Sequence, residues 1–265
     1  MSAQSTHLFD LPADIIREIT QPAYIGKSTN YVFKFVCKAS AELTTSTTAD
    51  KFPENAAAEG HLEILIWAHL NGYKCNGRTL WDAAITAGHL EVLKWIICVR
   101  KIYNPSYNAA GSCGHLHIVQ YGFLTSRRVQ SSGINMLAGA AQEGHLNVVK
   151  WLHEKGYRYD SAIEYAAGFG HLPVVKYLHE NTNTNNNSFI LCAPAQRGRI
   201  EVIEYLCSVG HVPNSTVYQF AVSWNQLNVL KWFHQHGFTL SGDLRDHAAS
   251  KGYVEITAWL QSIGY

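Results

Sequence analysis

An all-α array of about eight short helix-turn-helix repeats is the fold class this chain predicts, and three observations carry that expectation. The phrase Glu59-Gly-His-Leu-Glu-Ile-Leu-Ile-Trp67 returns in altered form at 87–95, 143–151 and 169–177. Aligned on the Gly of Gly-His, anchors fall at Gly60, Gly88, Gly114, Gly144, Gly170 and Gly198, with weaker ones at Asn225 and Gly252, and successive intervals run from 26 to 30 residues. The columns around the anchor keep their chemistry. Seven positions after it stands an aromatic residue in every copy, namely Trp67, Trp95, Tyr121, Trp151, Tyr177, Tyr205, Trp232 and Trp259. Four positions before it stands Ala at 56, 84, 110, 140, 166, 221 and 248, with Pro194 the exception.

The first helix of each unit precedes the anchor. Nine positions upstream lies a polar residue in several copies (Thr79, Asn135, Ser161, Thr216, Asp243), a candidate cap for free backbone amides. The Ala column lets helices approach closely, and Pro194 is expected to kink or shorten the first helix of repeat six. The anchor Gly turns the chain by adopting a left-handed conformation. In the second helix Leu146, Val149 and Leu152 recur at helical spacing, and Val148 and Trp151 widen the stripe. A second Gly (72, 156, 210, 237, 264) ends it. A unit of about 27 residues cannot bury both helices by itself, so neighbours must stack into an elongated array. The aromatic column is expected to be inter-repeat packing in the core. The Asn-rich run 181–187 is expected to be a loop.

These columns resemble the ankyrin consensus, with Thr79, Ala84, Gly88, His89, Val92 and Leu93 on matching positions, over roughly residues 51–265. The period is shorter than the usual 33, which implies a finger between repeats reduced to a loop. This degenerate pattern is similar to the variety that giant DNA viruses of amoebae encode. The resemblance implies a module that binds other proteins and has no active site.

Residues 1–50 form a separate segment ahead of the array at 51–265. Asp10 and Pro12 suit a helix start, Ile15, Ile16 and Ile19 make an apolar stripe, and 31–36 fits a short helix or a strand. Leu11-Pro12-x-Asp-Ile15-Ile16-x-x-Ile19, followed by Val36-Cys37-Lys38, resembles an F-box. That resemblance implies docking on the adaptor subunit of a cullin–RING ubiquitin ligase through Leu11, Pro12, Ile15, Ile16, Ile19, Val36 and Cys37. The alternative is a helical cap over the first repeat.

Other chemistry finds little purchase in the sequence. The net charge is +1, from 21 basic and 20 acidic residues, which disfavours a nucleic-acid partner. No run of 18 apolar residues suggests a membrane span, and the N-terminus does not read as a secretory signal. Six scattered cysteines read as small core side chains in a reducing compartment, the cytoplasm or the nucleus. Most of the fourteen histidines are register positions: His61, His89, His115, His145 and His171 follow the anchor, and His69, His153, His179 and His234 lie eight residues further on. Adjacent copies stand about 10 Å apart, too far to share one ion with ligands near 2.1 Å, so a hydrogen bond to a neighbouring turn is the expected role. No metal, cofactor or catalytic residue is expected, and a catalytic or metal-binding protein is the remote alternative. The chain reads as a monomer whose target face lies just before the anchors, at Glu164, Phe169, Gln196, Arg197, Gln219 and Trp224. Trp224 is either an exposed anchor or a filler for the missing Gly-His.

Overall fold

The computed structural model describes residues 52–70, 76–100, 106–125, 132–158, 161–182 and 189–265. Leu11, Pro12, Ile15, Ile16, Ile19, Val36 and Cys37 lie outside the described residues, as does most of the Asn-rich run; Asn181 itself is the last residue of a helix. The chain divides into two compact units, Met1–Pro105 and Ser106–Tyr265.

In the first unit two helix pairs are described: α1 (Phe52–Ala58) with α2 (Leu62–Leu70), and α3 (Gly77–Ala87) with α4 (Leu90–Arg100). In the second unit six pairs follow: α5 (Asn108–Ser112) and α6 (Leu116–Thr125), α7 (Gly133–Gln142) and α8 (Leu146–Glu154), α9 (Ala162–Phe169) and α10 (Leu172–Asn181), α11 (Cys192–Gln196) and α12 (Ile200–Ser208), α13 (Ser215–Ser223) and α14 (Leu227–Gln235), α15 (Leu244–Ser250) and α16 (Val254–Ser262). No strand occurs among the described residues. Within each unit the first helix of a pair packs on the first helix of the next.

Every turn between paired helices is built alike. The anchor residue has positive φ in all eight copies, from +56° at Asn225 to +92° at Gly170. Asn is the side chain that best tolerates that region, which is why it can stand in for Gly. The residue after the anchor returns its backbone N–H to the carbonyl four positions before it, from His61 to Ala56 through Tyr253 to Ala248, at 2.8–3.0 Å. That bond needs only a carbonyl at the −4 position. Pro194, which lacks an N–H, therefore still receives Arg199 at 2.9 Å. Its helix α11 is nevertheless cut to 5 residues.

Small side chains explain the tight stacking of first helices. Ala84, Ala110, Ala140, Ala166, Ala221 and Ala248 are all fully buried. Behind them Val, Leu and Ile on the second helices close the core, among them Val148, Val149 and Leu152 at 0% exposure. Burying each such side chain is worth about 1.5–3 kcal/mol. In the last pair three columns change character. The columns that hold Tyr218, Val222 and Leu230 in the preceding repeat, all buried, hold exposed Arg245, exposed Ala249 and half-buried Thr257 in the last.

Three expectations need correction. Thr79, Asn135 and Thr216 do not cap helices, because the helices begin further upstream. The capping side chains are Asn76, which accepts from the Arg78 amide, and Asn214, which accepts from the Val217 amide. Ser161 and Asp243 stand at cap positions without a side-chain bond to the backbone. The aromatic column is not core: Trp95, Tyr121, Trp151, Tyr177, Tyr205, Trp232 and Trp259 are half-buried between second helices. Of the cysteines, Cys192 is buried and Cys98 is exposed, because the latter falls on the outer side of α4.

Candidate functional site

The histidines resolve into two ladders. In the first, the side chain after one anchor lies on the anchor glycine of the preceding repeat. A Cβ at Gly60 would stand 2.5 Å from His89, one at Gly114 2.5 Å from His145, and one at Gly144 2.4 Å from His171. His89 Nε2 pairs with the Ala58 carbonyl at 3.0 Å, the neighbouring-turn bond the sequence suggested. Where His is absent the role passes to other side chains. Gln226 donates to the Gln196 carbonyl at 3.1 Å, Tyr253 donates to the Ser223 carbonyl at 3.2 Å, and Arg199 lies over Gly170.

The second ladder runs along the second helices. In five repeats a ring two positions beyond the aromatic meets the aromatic of the next repeat edge to face: His69 with Trp95, Phe123 with Trp151, His153 with Tyr177, His179 with Tyr205 and His234 with Trp259, at centroid distances of 4.8–5.9 Å. That arrangement aligns a positive ring edge with a negative face. The Tyr177 hydroxyl lies 3.0 Å from His153 Nδ1, and Lys150 and Lys176 stand over Tyr177 and Tyr205 at 5.4 Å. Burial, helped by Arg158, holds the His153 pKa below its ordinary value. The local pair His234 and His236 diverges, since His236 stacks on Trp232 at 4.1 Å.

These ladders account for ring positions as packing. Among the described residues no group of three His, Cys, Asp or Glu side chains is arranged to hold a metal ion. Burial raises the thiols of Cys192 and Cys207 to about 11, so both remain protonated at neutral pH.

The position just before the anchor is exposed at Glu59, Ala87, Glu143, Arg197, Trp224 and Lys251 and half-buried at Cys113 and Phe169. The expected target residues fall on three consecutive repeats, five to seven. Glu164 and Phe169 are on α9, Arg197 follows α11, Gln219 is on α13 and Trp224 follows it. Phe169 is half-buried beneath Arg197, whose guanidinium carbon lies 4.0 Å from the ring centroid. Trp224 is 57% exposed, so it is an outward side chain and not a filler. Gln219 is exposed, Glu164 is half-buried, and Gln196 spends its carbonyl on Gln226. Sequence reasoning missed Tyr165 and Phe220, exposed five positions before their anchors. The signal was present, because Asn55, Ala83, Ala109, Gly139, Ala193 and His247 occupy that column elsewhere, and two large rings among them stand out.

No helix among the described residues is long and apolar enough to cross a membrane. No curated protein matches the chain. A family model described as Ankyrin repeats (3 copies) matches residues 136–217, from the middle of α7 into α13. That match falls on the shared turns and ladders of the second unit, and the described residues of each unit are all-α helix-turn-helix repeats, of the ankyrin type where the family model matches.

Proposed function

We infer that this array is a protein–protein interaction module, a reading supported by the ankyrin-repeat match at residues 136–217. We propose that the chain selects a target protein through the first-helix side of repeats five to seven, with Phe169, Arg197, Gln219 and Trp224 as contacts and Glu164 at the border. The observation that carries this reading is the exposure of Trp224 in the same column, one repeat after the Arg197 that rests on Phe169. A large exposed aromatic next to Arg is the composition of an interaction hot spot.

In this reading residues 8–43 join the target to a cullin–RING ligase adaptor through Leu11, Pro12, Ile15, Ile16, Ile19, Val36 and Cys37. The chain then works as a substrate receptor in the cytoplasm or nucleus. A second reading, a scaffold or competitive inhibitor without ligase link, is favoured by the polar stretch 20–30, where F-boxes carry a leucine-rich helix.

The test is a pull-down of full-length protein against purified adaptor, beside a Leu11→Ala/Pro12→Ala/Ile15→Ala variant of unchanged circular dichroism. Saturable binding lost in the variant supports the receptor. Absence of binding in both leaves the scaffold reading.

A further inference from the structure

The turns that join paired helices are contiguous along repeats five to eight. Arg199 lies over Gly170, Gln226 reaches the Gln196 carbonyl, and Tyr253 reaches the Ser223 carbonyl. Together they make one ledge. Its four turns read Gly168-Phe-Gly-His171, Gln196-Arg-Gly-Arg199, Ser223-Trp-Asn-Gln226 and Ser250-Lys-Gly-Tyr253. The ledge therefore holds Arg197, Arg199 and Lys251 and no carboxylate, in a chain whose net charge is only +1.

The acidic side chains nearest in sequence lie on the helices: Glu201 and Glu255, two residues after Arg199 and Tyr253 in the first turns of α12 and α16, then Glu164, and Asp246, which stands 3.7 Å from Arg245. Among the described residues none of the three ledge cations makes an ion pair. The position just before the anchor alternates ring and cation across the four repeats: Phe169, Arg197, Trp224, Lys251.

We infer that this ledge is the recognition site for an extended, acidic polypeptide segment, with an apolar side chain seated on Trp224 and carboxylates on Arg197 and Lys251 to either side. The inference rests on the module reading above and specifies its partner. Spacing supports a peptide. Packed helices stand about 8–10 Å apart, and an extended chain advances about 3.3 Å per residue, so adjacent repeats meet every third residue. The matching segment is then acidic–x–x–apolar–x–x–acidic. Arg197 suits a carboxylate in particular, because the ring beneath it fixes a guanidinium that can make two parallel N–H···O bonds. A single-stranded nucleic acid is disfavoured, since three cations release few counterions and stacked bases need rings much closer than one per repeat.

The test is selection of a random peptide library of about a dozen residues on the full-length protein, with Arg197→Glu/Lys251→Glu and Trp224→Ala alongside. All three positions are exposed, so the variants keep their fold, and circular dichroism checks this. The expected result is enrichment of Asp or Glu three residues to each side of a large apolar residue. Retention of those peptides falls at least about tenfold in either variant, and the charge-reversed protein selects Lys and Arg in place of acids.

Enriched peptides that lack the acidic pattern, or that both variants retain as well as wild type, overturn the ledge while the array stands as a protein-binding module. Failure to enrich any peptide overturns both. Saturable binding of a polyuridine probe that displaces the peptides overturns the choice of polypeptide.

Discussion

At Gly144 the backbone has φ +81°, and a Cβ would meet the His171 ring at 2.4 Å; at Gly156 φ is +90° and the space around a Cβ is open to 4 Å. The pair separates two costs. Gly156→Ala should lose about 1 kcal/mol to backbone strain alone, and Gly144→Ala at least about twice that, because the ring on the turn must also move. Urea unfolding of the two variants checks it, and equal losses would show that the ring gives way freely. His153 offers a pH handle. Its pKa is lowered first by burial and then by Arg158, with Glu154 opposing, and Tyr177 faces its ring with Lys150 beyond. A lowered pKa means the unfolded chain binds the proton more readily. Stability is therefore full above the ordinary value of about 6.5 and falls as pH drops from there through the folded-state pKa. His153→Phe should flatten that decline, keeping the edge contact that Phe123 makes with Trp151 at 4.8 Å in the same column. Part of the slope should persist, because burial also lowers His211. Denaturant midpoints at about pH 7.5 and about pH 5.5 measure both slopes.

Among the elements, helix beginnings were the part of the repeat least legible in the sequence. Thr216 sits at the tidy distance from its anchor, yet Asn214 makes the capping bond to the Val217 amide at 3.1 Å. The reason is that either residue is chemically able to cap, and only the packing of Val217 and Tyr218 decides where α13 starts. Asn214→Ala should cost about 1 kcal/mol and Thr216→Ala less than about half of that, as read from thermal or urea midpoints. Helix ends were legible for the opposite reason. A left-handed residue is needed at one position, and Gly or Asn there is a direct physical signature. The exchange between Tyr107 and Gly122 was hidden. The Tyr107 ring is fully buried against Gly122, in a column that carries Leu at 152, 178 and 206. Ring and glycine compensate each other across a helix pair, so neither departure from its column is interpretable by itself.

For the molecule as a whole, a periodic pattern reveals the unit and its count, because each column has one job repeated along the array. It does not reveal which unused positions are exposed. Trp224 and Phe169 share a column, yet one is open and the other lies under Arg197. Nor did any change of composition mark the division at Pro105 and Ser106. The last pair carries Arg245 and Thr257 where the preceding pair carries Tyr218 and Leu230. If Arg245 and Thr257 keep α15–α16 from accepting a neighbour, Arg245→Leu/Thr257→Val should convert that face to the composition of an internal one. Light scattering after gel filtration should then show a mass that rises with concentration, relative to wild type. An unchanged mass would mean that apolar character at these two sites does not govern stacking. The joints themselves have a further consequence. Each is closed by a backbone bond to the carbonyl four residues before the anchor and, in most repeats, by one side chain on a glycine. A unit cut at one anchor and spliced at the next would close with the same chemistry. Copying errors that duplicate or delete a unit therefore add or remove one letter of the outward row and leave the seams intact, so what the chain recognises can drift faster than the way it folds.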